Sequence, residues 1–338
     1  MRSAFHSYLI KYVNVACFSK LDYIQSLVDV SKNYKKYAPK VIQLFKKSSA
    51  DEEQINRTET RIEVEPYSGS NNFVLEMSSR LENELKKDLL GAYIHGSLAT
   101  QEEVGYSDFD ALVIFKDDVF ESEERLASAA LKLHRLQRIM HEFDPLQHHG
   151  WFVMTESMLD NYPNLYFPPE LFEFSRSLLK NQGLSFSIQY EELSKEEFIK
   201  PFVQLSNSIL AKLKCVKQPR NSFVLKGLLS EFMLLPALYL QAKYKHGVYK
   251  KDSFRLAEND FEKAEWEIMN EVSTIREEWG YKLSTLQKTI LTSRSFLVRK
   301  IARRFAPHVA SQISIRINHV FFNEMLNLVI LMKNKMSL

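Results

Sequence analysis

"YIHGSLATQEEVGYSDFDALVIF", residues Tyr93 to Phe115, decides how the rest of the chain is read. An apolar run ends in Gly96-Ser97, a polar loop follows, and Ser107-Asp108-Phe109-Asp110 leads straight into a second apolar run. Side chains two apart on extended backbone share a face, so Asp108 and Asp110 project together while Phe109 turns into the core. Two carboxylates held side by side repel each other, and burying them unpaired is costly. A divalent cation removes that cost, and Mg²⁺ (or Mn²⁺) suits one or two carboxylates combined with phosphate oxygens. Gly96 permits close backbone approach, Ser97 adds a hydroxyl and an amide, and "LATQEE" can open a helix whose N-terminus favours an anion. Strand, Gly-Ser turn, loop, Asp-x-Asp, strand is a device for holding a metal–triphosphate.

Working outward, "LLGAYIH" (Leu89 to His95) and "ALVIF" (Ala111 to Phe115) are short apolar runs that predict buried strands, and "GWFVMT" (Gly150 to Thr155) predicts a third. Helices are expected over 71–88, with Phe73, Met77, Leu81 and Leu85 on one face, and over 122–142. Residues 4 to about 47 also carry helix spacing, and Lys46 to Thr60 reads as a polar linker. From about residue 197 onward only helix periodicity remains. The class is therefore α+β: an N-terminal helical extension and linker (1–60), a small mixed-sheet domain (61–190) and an all-helical bundle (191–338).

Composition narrows the function. The 338 residues carry a net charge of only +3, which argues against a generic nucleic-acid binder. Cys17 and Cys215 lie far apart and form no metal pattern, as suits a reducing compartment. Lys11 breaks the first apolar run, and the apolar stretch Met325 to Met332 is too short to span a bilayer. The expectation is a cytoplasmic protein without a membrane partner.

"HGSLATQEEVGYSDFDALVIF" resembles the signature of the nucleotidyltransferase superfamily that includes polymerase beta and the antibiotic nucleotidyltransferases. The match covers residues 89 to 115 and extends loosely to about 185. The resemblance implies a metal-assisted displacement at the α-phosphate of a nucleoside triphosphate, with pyrophosphate leaving. It implies that Asp108 and Asp110 are the metal ligands and catalytic carboxylates, and that Gly96 and Ser97 form the phosphate turn. Ser107 stands before the carboxylates, as a serine often does in the family.

The chain departs from the family at one point. Members usually carry a third acid on a later strand, whereas "HEFDPLQHHGWFVMTE" places His148 and His149 before the expected strand. Three readings stay open: His149 has replaced the acid as ligand or proton acceptor, a nearby acid (Asp144 or Glu156) reaches the site, or the third group is missing. In the helical half, "KHGVYKKDSF" resembles the lysine-bearing turn of antibiotic adenylyltransferases, which makes Lys251 a nucleotide-phosphate candidate. "SRSFLVRKIARRF" (Ser293 to Phe305) is a basic amphipathic helix, which more often packs its apolar side and solvates its charges. The leading expectation is a nucleotidyltransferase acting on a hydroxyl of a small molecule or protein, its site in a cleft between the two domains. The rival is a degenerate, antitoxin-like binding module that holds a nucleotide or a protein partner.

Overall fold

The computed structural model describes residues 57–215, 221–293 and 296–337. The helix expected over 4–47 and Cys17 lie outside them. Contacts divide the chain into two units. The first runs to Glu102 and includes Asp108–Phe167 and Phe172–Glu192; the second gathers Glu103–Ser107, Pro168–Leu171 and Leu193–Leu338.

The first unit is built on β1 (Arg57–Glu63), α1 (Asn72–Glu84), β2 (Leu89–Ile94), β3 (Ala111–Phe115), α2 (Glu123–Phe143), β4 (Phe152–Thr155), β5 (Arg176–Ser177) and β6 (Ser185–Glu191). Four strands form a mixed sheet in the order β4-β3-β2-β5, with β3 and β4 parallel and the other pairs antiparallel. The register Ala92↔Val113 and Ile94↔Ala111 puts these four side chains on one face. There they meet Met77 and Leu81 of α1 and Leu133 and Met140 of α2, all fully buried.

The opposite face carries Tyr93, whose ring meets Phe172 and Phe186 at 5.5 and 5.8 Å. Both faces of β2 and β3 are therefore covered. That is why their sequences are continuous apolar runs without polar alternation.

Three strands, β1, β5 and β6, escape the sequence reading. Residues 57–60, expected in the linker, begin β1, which pairs antiparallel with β6 from Arg57↔Glu191 to Glu63↔Ser185. This two-stranded ribbon buries only Ile62 on β1, so an apolar period had little to act on. β5 is two residues long, too short to show any period.

In the second unit all described secondary structure is helical. The helices are α3 (Lys195–Cys215), α4 (Ser222–Phe232), α5 (Leu235–Tyr244), α6 (Lys250–Glu258), α7 (Lys263–Glu277), α8 (Thr285–Leu291), α9 (Phe296–Arg303), α10 (Ser311–Arg316) and α11 (His319–Lys335). Among the described residues one stretch, Ser222–Tyr244, is long and apolar enough to cross a membrane. It is split into α4 and α5, with Leu225, Leu229, Phe232 and Leu240 buried inside the unit. Tyr106 anchors the 103–107 segment here: its hydroxyl donates to the Lys226 carbonyl at 2.6 Å, and its ring stands 5.0 Å from that of Trp279. The basic stretch at α9 is partly internal. Arg299 is buried, and the Arg303 guanidinium lies over the Phe223 ring.

Candidate active site

Asp108 and Asp110 sit just ahead of β3, on extended backbone that other groups hold in place. His95 N–H donates to the Asp110 carbonyl at 3.0 Å, carrying the β2–β3 ladder one pair past the strands. On the other edge stands the side chain of Gln147, which is fully buried. Its Oε1 accepts from Phe109 N at 2.9 Å, and its Nε2 donates to Phe109 O at 3.0 Å and to His149 O at 2.9 Å. One amide thus does for Phe109 what a neighbouring strand would do, and ties the carboxylate segment to the histidine segment. Phe109 is fully buried, its ring 5.9 Å from Phe143, so the aspartates on either side turn away from that core.

His149 completes the cluster. Its Nε2 lies 2.8 Å from Asp110 Oδ1 and 4.0 Å from Asp108 Oδ2. Among the described residues, Asp108, Asp110 and His149 are the group whose ligand atoms all lie within 4.8 Å of one another. His149 Nδ1 lies 3.1 Å from the Gly150 carbonyl, which can only accept, so that nitrogen carries a proton. With Nε2 donating to Asp110, the ring is an imidazolium. Burial works against its charge, but the attraction and hydrogen bond of Asp110, with Asp108 behind it, raise His149 to about 9. Burial pushes Asp110 up, yet the charge and hydrogen bond of His149 outweigh it and hold the carboxyl below its usual range.

The donor set fits a divalent cation: two carboxylates and one imidazole converge on one point. The space beside it is kept open by Gly96, whose φ is +69° and where a Cβ would stand 3.1 Å from Asp110 Oδ2. The helix expected from "LATQEE" does not form. Gly96–Leu98 makes a single 3-10 turn, with Ala99 N and Thr100 N both donating to Gly96 O. Gln101, at φ +58°, then leaves the helical region and ends the turn. Ser97 lies in that turn, its carbonyl accepting from Glu102 N at 2.8 Å.

Asp144 and Glu156 stand outside this ligand group. Asp144 is buried, and its Oδ1 accepts from Leu146 N in a local turn after α2. Glu156 follows β4, with its carboxylate on Asp117 N just past β3, at the end of the strands opposite Asp110. Ser107 and Lys251 belong to the second unit. The Ser107 hydroxyl accepts from Val104 N at 2.9 Å, and Lys251 is exposed in the first turn of α6.

Sequence reasoning missed Gln147, since a lone amide between Leu146 and His148 carries no pattern. It also passed over His95. That ring lies 5.4 Å from Phe152 and 5.0 Å from Phe167, and burial pushes it down to about 4, so it stays neutral beside the charged His149.

The ion pair has a pH signature. The folded value of His149 lies above its ordinary 6.5, so the pair's stabilisation is present below that pH and is lost as pH rises through about 9. In metal-free protein the His149 ring resonances should titrate near 9, and Asp110→Asn should bring them back toward 6.5. Wild-type resonances that already titrate near the ordinary value would remove the pair. Gln147→Ala should orphan the buried Phe109 N–H and carbonyl, costing roughly 1–3 kcal/mol for each group. Chemical denaturation measures that loss, and Gln147→Glu should be no better, because a carboxylate cannot donate to either carbonyl.

No family model matches the chain, and no curated protein does. Among solved structures it is similar to a spectinomycin adenyltransferase from Enterococcus faecialis, solved with ATP and spectinomycin. Identity is 12%, the alignment covers 70% of this chain and 98% of that one, and the TM-score is 0.35.

Proposed function

We propose that the chain is a metal-dependent nucleotidyltransferase, moving a nucleoside monophosphate from a nucleoside triphosphate to a hydroxyl on a small molecule or a protein. The observation that carries this reading is the convergence of Asp108, Asp110 and His149 beside a left-handed Gly96. Those are the parts that the Gly-Ser and Asp-x-Asp spacing calls for, with an imidazole in the third place.

Asp108, Asp110 and His149 would hold the cation. When bound, a divalent cation offsets the negative charge that builds on attacking and leaving oxygens. Gly96 leaves the backbone bare where phosphate oxygens approach, and Ser97 offers its hydroxyl and amide there. Gln147 and Phe109 fix the carboxylate spacing, which matters because small misplacements in a reacting geometry cost rate steeply. The acceptor hydroxyl oxygen would bond to the α-phosphorus as the bond from that phosphorus to the bridging oxygen breaks, with pyrophosphate leaving and the hydroxyl proton passing to solvent. The small net charge favours a compact acceptor over a nucleic acid.

One observation favours a second reading. The His149 imidazolium already satisfies Asp110 without a metal, as a non-catalytic binding module would need. Turnover separates the two. The 338-residue chain with mixed nucleoside triphosphates, divalent cation and a panel of hydroxyl acceptors should release pyrophosphate. Asp108→Asn and Asp110→Asn should abolish that release while keeping the fold. Triphosphate binding without cation-dependent release, across the whole panel, would select the binding module instead.

Gly96→Val tests the turn. Forcing a β-branched residue to a positive φ should cost about 1–2 kcal/mol of stability. The added side chain should also weaken triphosphate binding in calorimetry. Unchanged nucleotide affinity in the folded variant would remove Gly96 from the site.

A further inference from the structure

The reading of Asp108, Asp110 and His149 as a cation site leads one step further. Resting on it, we propose that the site prefers a first-row transition cation, with Mn²⁺ as the type, over Mg²⁺, and that His149 Nε2 is the ligand that sets the preference.

The orientation of the ring carries the argument. Nδ1 lies 3.1 Å from the Gly150 carbonyl and must present its proton there. In the neutral ring the lone pair is therefore on Nε2, the nitrogen that stands 2.8 Å from Asp110 Oδ1 and 4.0 Å from Asp108 Oδ2. Metal-bound histidines are held in this way, with the second N–H donated to a backbone carbonyl that fixes tautomer and direction. The ring is braced by Phe152, 5.4 Å away. His149 is thus aimed as a nitrogen donor at the point where the carboxylates converge.

The donor set then sorts the cations. Mg²⁺ is hard, favours oxygen ligands and gives up its water reluctantly. An imidazole nitrogen offers it little, whereas transition ions bond well to imidazole. A neutral nitrogen in place of a third carboxylate also takes one negative charge out of the site, weakening the purely electrostatic hold on Mg²⁺. A transition ion recovers that loss through the nitrogen bond. Mn²⁺ suits carboxylates as Mg²⁺ does and, as a first-row transition ion, also takes a nitrogen ligand, though less strongly than the later members of its row.

The test uses the metal-free full chain with MnCl₂ as the probe and MgCl₂ as the competitor. Pulsed electron paramagnetic resonance of bound Mn²⁺ should show coupling to a ring nitrogen in wild type and none in His149→Asp. The Mg²⁺ needed to displace half the Mn²⁺ should fall in His149→Asp by on the order of tenfold, the scale on which a single supporting contact alters metal affinity. Should that variant not fold, His149→Gln removes the nitrogen donor and gives the same readout. Mn²⁺ that binds wild type without nitrogen coupling, and with the same Mg²⁺ competition as the variant, overturns the proposal. It would leave the carboxylate cation site standing. Failure of Mn²⁺ to bind the folded wild type at all overturns both.

Discussion

Two carboxylates aimed at one point require positive charge between them, and the local structure around Asp108 and Asp110 is arranged to meet that requirement. Phe109 is driven into the apolar core under α1 and α2, which fixes its neighbours on the opposite side of the backbone. Gln147 then prevents that backbone from relaxing, because its amide occupies both hydrogen-bonding groups of Phe109. Relief of the repulsion has to come from outside the pair. His149 supplies it, held by the same Gln147 through its carbonyl.

In the proposed cation site a proton and a metal ion would compete for the same nitrogen. With the proton, His149 and Asp110 form an ion pair that needs no other ligand. To hold a cation the ring would give up the proton on Nε2 and keep the one on Nδ1 that faces the Gly150 carbonyl. A tautomer fixed in this way suits a preorganised site, where geometry is set before the ligand arrives. It also shows why one histidine serves a catalytic reading and a binding one equally well in the absence of metal.

Much of this was legible in the sequence, and what was not has physical causes. β2 and β3 were readable because both their faces are covered, which leaves unbroken apolar runs. The spacing of Asp108, Phe109 and Asp110 showed which side each would take. β1 was hidden by its polar, half-exposed ribbon and β5 by its length, whereas β6 (Ser185–Glu191) alternates polar and apolar residues and was overlooked. Choosing among His149, Asp144 and Glu156 was out of reach, since all three lie close in number and only the fold decides which joins the aspartates. Asp144 spends its carboxylate on its own turn, and Glu156 lies past the far end of the strand. Gln147 was invisible because its role depends on a segment 38 residues away.

The Gln147 bridge also has a bearing on motion. Most amides next to a ligand site lie in loops that open often, so their hydrogens exchange with water quickly. Phe109 N–H is different: it is closed by a buried side chain, and its own ring is locked in the core. Opening it means withdrawing that ring and breaking the amide bridge together, which is close to unfolding the sheet. The two half-buried aspartates flank what should be one of the slowest-exchanging points of the first unit, so the position of their charge is as durable as the fold itself.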